Sequence, residues 1–210
     1  MSQYHVVTLD PLTLVGSPTP LPREFVGLAP ASLADLSWTG TDSGGAYVGK
    51  GYWPVVDVRP APAVWQRNAV AATYVAAADL KHVTATYALE DRPLADVKAD
   101  RLAALAALRW QIETGGITIG GVSVRTDIES QGKITGAHAL VTAAPSTVID
   151  WKGASGWVQL DAATMTAIAL AVGTHIQACY SAEKTHAEAI SAAETAEAAG
   201  TYDFTGGWPE

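Results

Sequence analysis

"ITIGGVSVRTDIESQG", residues 117 to 132, carries two structural signals back to back. Gly120-Gly121 supplies a two-residue turn, because glycine reaches the positive φ that a tight hairpin needs. That register sets Ile119 opposite Val122 and Ile117 opposite Val124 on one face, with Thr118, Ser123 and Arg125 on the other. The hairpin runs into Thr126-Asp127-Ile128-Glu129, which fits a capping box. In that motif the Thr126 hydroxyl accepts from the Glu129 amide, and the Glu129 carboxylate reaches back to the Thr126 amide. Asp127 then falls in the first turn, where the helix dipole favours negative charge. The same stretch and its continuation gather Asp127, Glu129, Ser130, Gln131, Lys133 and His138, so a carboxylate pair doing acid–base chemistry is the competing reading. The cap accounts for these residues without it.

Upstream, the pattern is helical. Pro93 suits a first helical position. Leu94, Val97, Leu102, Leu105, Leu108 and Ile112 recur at helical spacing, Arg109 is placed to pair with Glu113 one turn on, and Gly115-Gly116 stops the helix.

Downstream, "VIDWKGASGWVQL" (148 to 160) reads as a second hairpin with Gly153 and Gly156 in its loop and Trp151 and Trp157 at its rims. Two tryptophans there fit either a carbohydrate-stacking platform or large anchors over a small core, and the anchor reading is favoured. Asp161 caps the last helix, with Leu160 and Met165 as a hydrophobic staple. The pattern predicts helix from Ala162 to about Ala199, roughly 55 Å at 1.5 Å per residue. Met165, Ile168, Val172, Ile176 and Cys179 form its core stripe. Its alanine-rich second half is expected to present Ala189, Ile190, Ala193 and Ala196 to a neighbouring copy, which predicts a homo-oligomer. A solvated helix of high alanine propensity is the alternative.

Residues 1 to 92 read differently. Pro11, Pro18, Pro20, Pro22 and Pro30 stud the first thirty positions and predict an extended arm without a core of its own, one that lies on a neighbouring protein. "AYVG", "WPVVDVRP" and "HVTATYAL" follow as strand-like pieces, with Gly44, Gly45, Gly49 and Gly51 at turns. The fold class expected is α+β. A small β-rich module with an extended arm occupies 1–92, and a helical domain with two short hairpins and a long C-terminal helix occupies 93–210.

Composition narrows the function. Charged residues make up 16% of the chain and the formal net charge is −8, with no Lys/Arg cluster to neutralise phosphates, so nucleic acid is excluded as a partner. The single cysteine, Cys179, excludes an internal disulfide. The reading expects no membrane insertion, since no apolar run reaches the ~20 residues needed to span a bilayer. The N-terminal stretch lacks the pattern of a signal peptide, so the protein is expected to be soluble and not exported. His175, Cys179, Glu183 and His186 share one helical stripe and are metal-capable, but a stripe alone cannot wrap a tetrahedral ion, so a structural role is favoured and no cofactor or metal is expected. Phosphate loops, HExxH and GxSxG are missing from the sequence, which argues against an enzyme.

"PLADVKADRLAALAALRWQIETGGI", "VRTDIESQGKITGA", "VIDWKGASGWVQLDAATMTAIALAVGTHIQACY" and the closing "GWP" occur in this order. Together they resemble a domain of unknown function from tailed bacteriophages and prophages. That domain occurs near the C-terminus of tail-fibre and tail-fibre-assembly-type proteins. The similarity spans about residues 88 to 209, and "GYWPVVDVRP" and "YALEDRPL" look like the short lead-in module of such proteins. The resemblance implies a structural component at the tail tip, baseplate or fibre attachment, made in the bacterial cytoplasm and carried in the virion, with other tail proteins as partners. An assembly chaperone absent from the particle and a carbohydrate-binding module are the alternatives. It carries no catalytic residues.

Overall fold

The computed structural model describes residues 2–40, 43–153 and 156–209. The fold is α+β, and the chain divides into two compact units, Met1–Asp91 and Arg92–Glu210.

The first unit is a curled five-stranded sheet in the order β2-β1-β3-β5-β4, built from β1 (Gln3–Leu9), β2 (Leu12–Pro20), β3 (Lys50–Val58), β4 (Gln66–Ala77) and β5 (His82–Asp91). Neighbours are antiparallel except β3 and β5. A short helix, α1 (Pro30–Ala34), packs on β3. Side chains of β1 alternate between two cores. Val7 joins Trp53 and Val83 on one side, while Tyr4 and Val6 join Phe25, Leu33, Leu36 and Tyr52 on the other. Gly51 permits the approach of α1, since a Cβ there would lie 2.2 Å from the Ala34 carbonyl oxygen. That carbonyl also accepts from the indole Nε1 of the fully buried Trp53 at 2.9 Å.

Two expectations are corrected here. The proline-studded start is a paired ribbon within the sheet, with Val7 fully buried. Its prolines sit where no amide donor is needed: Pro11 between β1 and β2, Pro18 and Pro20 on the edge strand β2, Pro22 ahead of a 3-10 turn, and Pro30 at the start of α1. "AYVG" is a run of turns leading into β3, while β4 carries no strand expectation in the sequence.

The second unit runs α2 (Leu94–Glu113), β6 (Ile117–Ile119), β7 (Val122–Val124), α3 (Ile128–Ala143), β8 (Ile149–Gly153), β9 (Gly156–Leu160), α4 (Ala162–Ala192) and α5 (Ala196–Thr201). The first hairpin forms in the expected register, with Ile119 opposite Val122 across Gly120 (φ 56°) and Gly121 (φ 83°). The second pairs Ile149 with Leu160 and Lys152 with Trp157, and residues 154–155 of its expected loop lie outside the described residues. Asp161 caps α4 by accepting from the Thr164 amide, and Leu160 and Met165 meet in the core as the staple requires.

The spine of this unit is α4. Its first half packs Met165 and Val172 against Ile134 and Val141 of α3. Its second half packs Ile190 against Leu105 of α2 and Phe204. The helix ends at Ala192, short of the expected Ala199, because Ala193 leaves helical geometry and the Thr195 hydroxyl caps the separate α5. By length and composition α4 is long and apolar enough to cross a membrane, with mean hydropathy 1.3 over 18 residues, which corrects the expectation that no segment is. Only 22% of that window is buried. Its inward stripe is Met165, Val172, His175 and Cys179, and Leu170 on the outward side is 70% exposed.

Candidate functional site

Thr126, Asp127, Ser130 and Gln131 meet where α2, the first hairpin and α3 come together. The cap of α3 is Asp127, one residue later than the capping box predicts: its Oδ1 accepts from the Ser130 amide at 3.0 Å. Thr126, fully buried, does something else. Its hydroxyl donates to the Glu113 carbonyl and accepts from the Gly116 amide, tying the end of α2 to the end of the hairpin. Gln131 closes the knot by donating Nε2 to the Thr126 carbonyl at 2.7 Å. Glu129 turns outward and pairs with Lys133. Asp127 and Glu129 therefore do not form a carboxylate dyad. The Ser130 bonds hold the Asp127 carboxyl below its usual range, and the Lys133 bond does the same for Glu129.

Beneath this knot lies a buried charge cluster. Arg109 pairs with Glu113 one turn on, as the sequence suggests, and also with Glu183 of α4, with Nε 3.1 Å from Oε2. That second contact is an ion pair without hydrogen-bond alignment. Burial works against the Arg109 charge, but the bond and charge of Glu113, with Tyr180 and Glu183, outweigh it and raise the guanidinium's pKa. The guanidinium also lies 4.8 Å from the Tyr180 ring centroid. One guanidinium thus bridges Glu113 of α2 and Glu183 of α4, which suits a structural clamp between the two helices.

The metal-capable stripe is occupied by internal contacts. The His175 Nε2 lies 3.2 Å from the Ile112 carbonyl and 3.7 Å from Cys179 Sγ, Glu183 serves Arg109, and His186 sits between the Tyr202 hydroxyl and the Gly206 carbonyl. Burial pushes the Cys179 thiol pKa up, with the Glu113 charge adding to it. No group of three metal-ligating side chains occurs among the described residues.

The predicted interaction residues separate. Trp151 and Trp157 stand on opposite faces of the β8–β9 hairpin: Trp151 packs against the core, while Trp157 is 72% exposed, so they do not form one platform. Ile190 is fully buried among Leu105 and Phe204, and Ala193 is partly buried at the helix break. The face expected to meet a neighbour is thus filled by residues of the same chain. The reason is the C-terminal tail: Phe204 and Trp208 fold back into this cluster, with the Trp208 indole donating to the Phe204 carbonyl at 2.8 Å. A groove of about 730 Å³ stays open between α3 and α4, lined by Ile134, His138, Leu170, Val172, Gly173 and Ile176 among others and by no Asp, Glu, Lys or Arg.

Fold and site together define a two-unit α+β protein whose C-terminal polar clusters fasten its elements together and whose surface includes a groove between α3 and α4 and an exposed hairpin face. The family described as "Domain of unknown function (DUF4376)" matches residues 96–206, just over half of the chain, and the protein belongs to that family. No curated protein and no solved structure matches it.

Proposed function

We propose that this protein is a non-catalytic structural component of a bacteriophage tail, at the tail tip, baseplate or fibre attachment. The observation that carries the reading is a division of labour in the C-terminal unit. Side chains capable of chemistry, including Arg109, Glu113, Glu183, His175 and Cys179, hold one another or the backbone, while the α3–α4 groove, mostly apolar and without Asp, Glu, Lys or Arg, stays open with Leu170 in its lining. A surface of that kind suits attachment to another protein. The sequence resemblance to tail-module domains supplies the particle context. In this reading the folded N-terminal sheet meets neighbouring tail proteins, and self-association uses the groove in place of Ile190.

Mass spectrometry of purified virions from the phage that encodes the chain tests the proposal. Stoichiometric presence in the tail, with cross-links from the α3–α4 groove, is the expected result. Presence in infected cells but not in particles would replace it with an assembly chaperone.

A further inference from the structure

We propose that the outer face of the β8–β9 hairpin binds a neutral hexopyranose unit of a glycan chain, with Trp157 as the stacking ring. The register places Lys152 opposite Trp157 and Asp150 opposite Gln159. Directly opposed residues in an antiparallel pair share a face, and so do residues two apart along a strand. The four side chains therefore form one patch, about 5 Å across and about 7 Å along, close to the footprint of a single sugar ring. All four are exposed, and Trp157 is the most exposed tryptophan among the described residues.

The chemistry of the patch selects its occupant. The face of an indole is electron-rich, and the axial C–H groups on one side of a pyranose carry partial positive charge, so the two stack. Beside the ring, Gln159 Nε2 donates to Asp150 Oδ1 at 3.2 Å, which holds a carboxylate and an amide in one array. Such an array offers acceptors and a donor to adjacent hydroxyls. The indole N–H of Trp157 has no protein acceptor among the described residues, whereas those of Trp38, Trp53 and Trp208 each donate to a carbonyl. The Lys152 Nζ lies over the Trp157 ring at 5.8 Å from its centroid, so a stacked sugar displaces it or takes the opposite ring face, and one lysine with one aspartate leaves the patch without net formal charge. A balanced patch of this kind fits a neutral sugar better than a uronic or sialic acid. Its flatness makes each contact weak, so useful binding requires several copies or a repeating ligand. This inference does not rest on the tail reading and fails separately from it.

The test is binding of the full chain to an array of immobilised oligosaccharides. One set contains neutral glucose, galactose and N-acetylhexosamine chains, and the other contains sialylated and uronic-acid chains. Retention on neutral chains is expected, and Trp157→Ala is expected to reduce it by about tenfold or more. Asp150→Ala and Gln159→Ala are each expected to reduce it by about threefold. The melting temperature should hold in all three, because these side chains are exposed. Retention of no glycan, retention only of acidic glycans, or retention that Trp157→Ala leaves unchanged overturns the proposal. Glycan-independent loss of a protein contact in Trp157→Ala would assign the face to a protein partner and also overturn it.

Discussion

The hydroxyl of Thr126 donates to the backbone carbonyl of Glu113, thirteen residues earlier, and accepts from the amide of Gly116. One buried side chain thus closes the loop that contains the whole first hairpin, and the Gln131 side chain fixes it from α3. The arrangement explains why a threonine stands directly before the helix cap without being the cap.

Thr126→Ala removes both bonds and leaves a buried donor and acceptor unsatisfied, so it is expected to lower stability by about 1 to 3 kcal/mol. Thr126→Ser keeps the hydroxyl and should recover most of that loss. Denaturant midpoints for the two variants check this. An alanine variant within about 0.5 kcal/mol of the parent would show that the knot contributes nothing beyond a surface substitution.

Arg109 should be far more sensitive than its exposed counterparts. Its side chain is 14% exposed and that of Glu113 is 7% exposed. Arg109→Met strands the Glu113 carboxylate, and removing one partner of a buried pair costs roughly 3 to 5 kcal/mol. Glu183, at 23% side-chain exposure, can be rehydrated, so Glu183→Gln is expected to cost about 1 kcal/mol. Arg109→Lys should not rescue, since a single ammonium cannot span two carboxylates in the same way. Thermal unfolding of the three variants gives the order; equal losses for Arg109→Met and Glu183→Gln would refute the clamp.

Acid should loosen the helix starts of the C-terminal unit. The Asp127 and Asp161 carboxyls both sit below their usual range through bonds to Ser130 and Thr164. A depressed folded-state pKa gives stability that is present above the unfolded value, near 3.9, and lost as pH falls through the folded value. Asp127→Asn and Asp161→Asn keep a capping acceptor but cannot titrate. Between about pH 5 and pH 2 their stability should fall less steeply than the parent's. Parallel curves for parent and variants would place the acid sensitivity elsewhere.

Ile190→Glu is expected to unfold the C-terminal unit and not merely to separate copies of the chain. Ile190 is fully buried against Leu105 and Phe204, an apolar cluster in which a carboxylate would lose its water. The milder Ile190→Ala should cost about 2 to 5 kcal/mol. A stably folded, monomeric Ile190→Glu would return the residue to an interface between subunits.

Local signals were legible in the sequence and distant ones were not. The Gly120-Gly121 hairpin, the Asp161 cap, the Leu160–Met165 staple and the Arg109–Glu113 pair each depend on residues within seven positions of one another, and each forms as read. Thr126 misled because a threonine before a helix matches a cap in pattern, and only the tertiary position of Glu113 and Gly116 gives it a different use. Arg109 meets Glu183 across two helices, a contact with no sequence spacing to signal it. The strand β4, "QRNAVAATYVAA", is rich in alanine, which lacks strand preference, and β5 supplies the pairing that its composition does not suggest. The helix expected to reach Ala199 instead breaks at Ala193, and the Thr195 hydroxyl caps the separate α5.

The same lesson gives a prediction for the N-terminus. Five prolines in the first thirty residues suggest a loose arm that mild protease removes. The fold says otherwise. Strand β1 is paired on both sides, to β2 and to β3, and it lies second in the sheet order. Val7 is fully buried beside Trp53 and Val83, and the His5 ring meets Tyr74 edge-on at 5.4 Å. Releasing β1 would therefore uncover Trp53 and unpair residues 50–54 of β3, and fully exposing Val7 alone forfeits about 1.5 to 3 kcal/mol. Mild proteolysis of the isolated chain should leave the first 35 residues attached for as long as the rest of the sheet survives. Deleting residues 1–20 should shift tryptophan emission to the red as Trp53 meets water, and the first unit should lose its cooperative melting. Early loss of the N-terminal residues, with the remainder of the sheet still melting cooperatively, would overturn this and restore the arm.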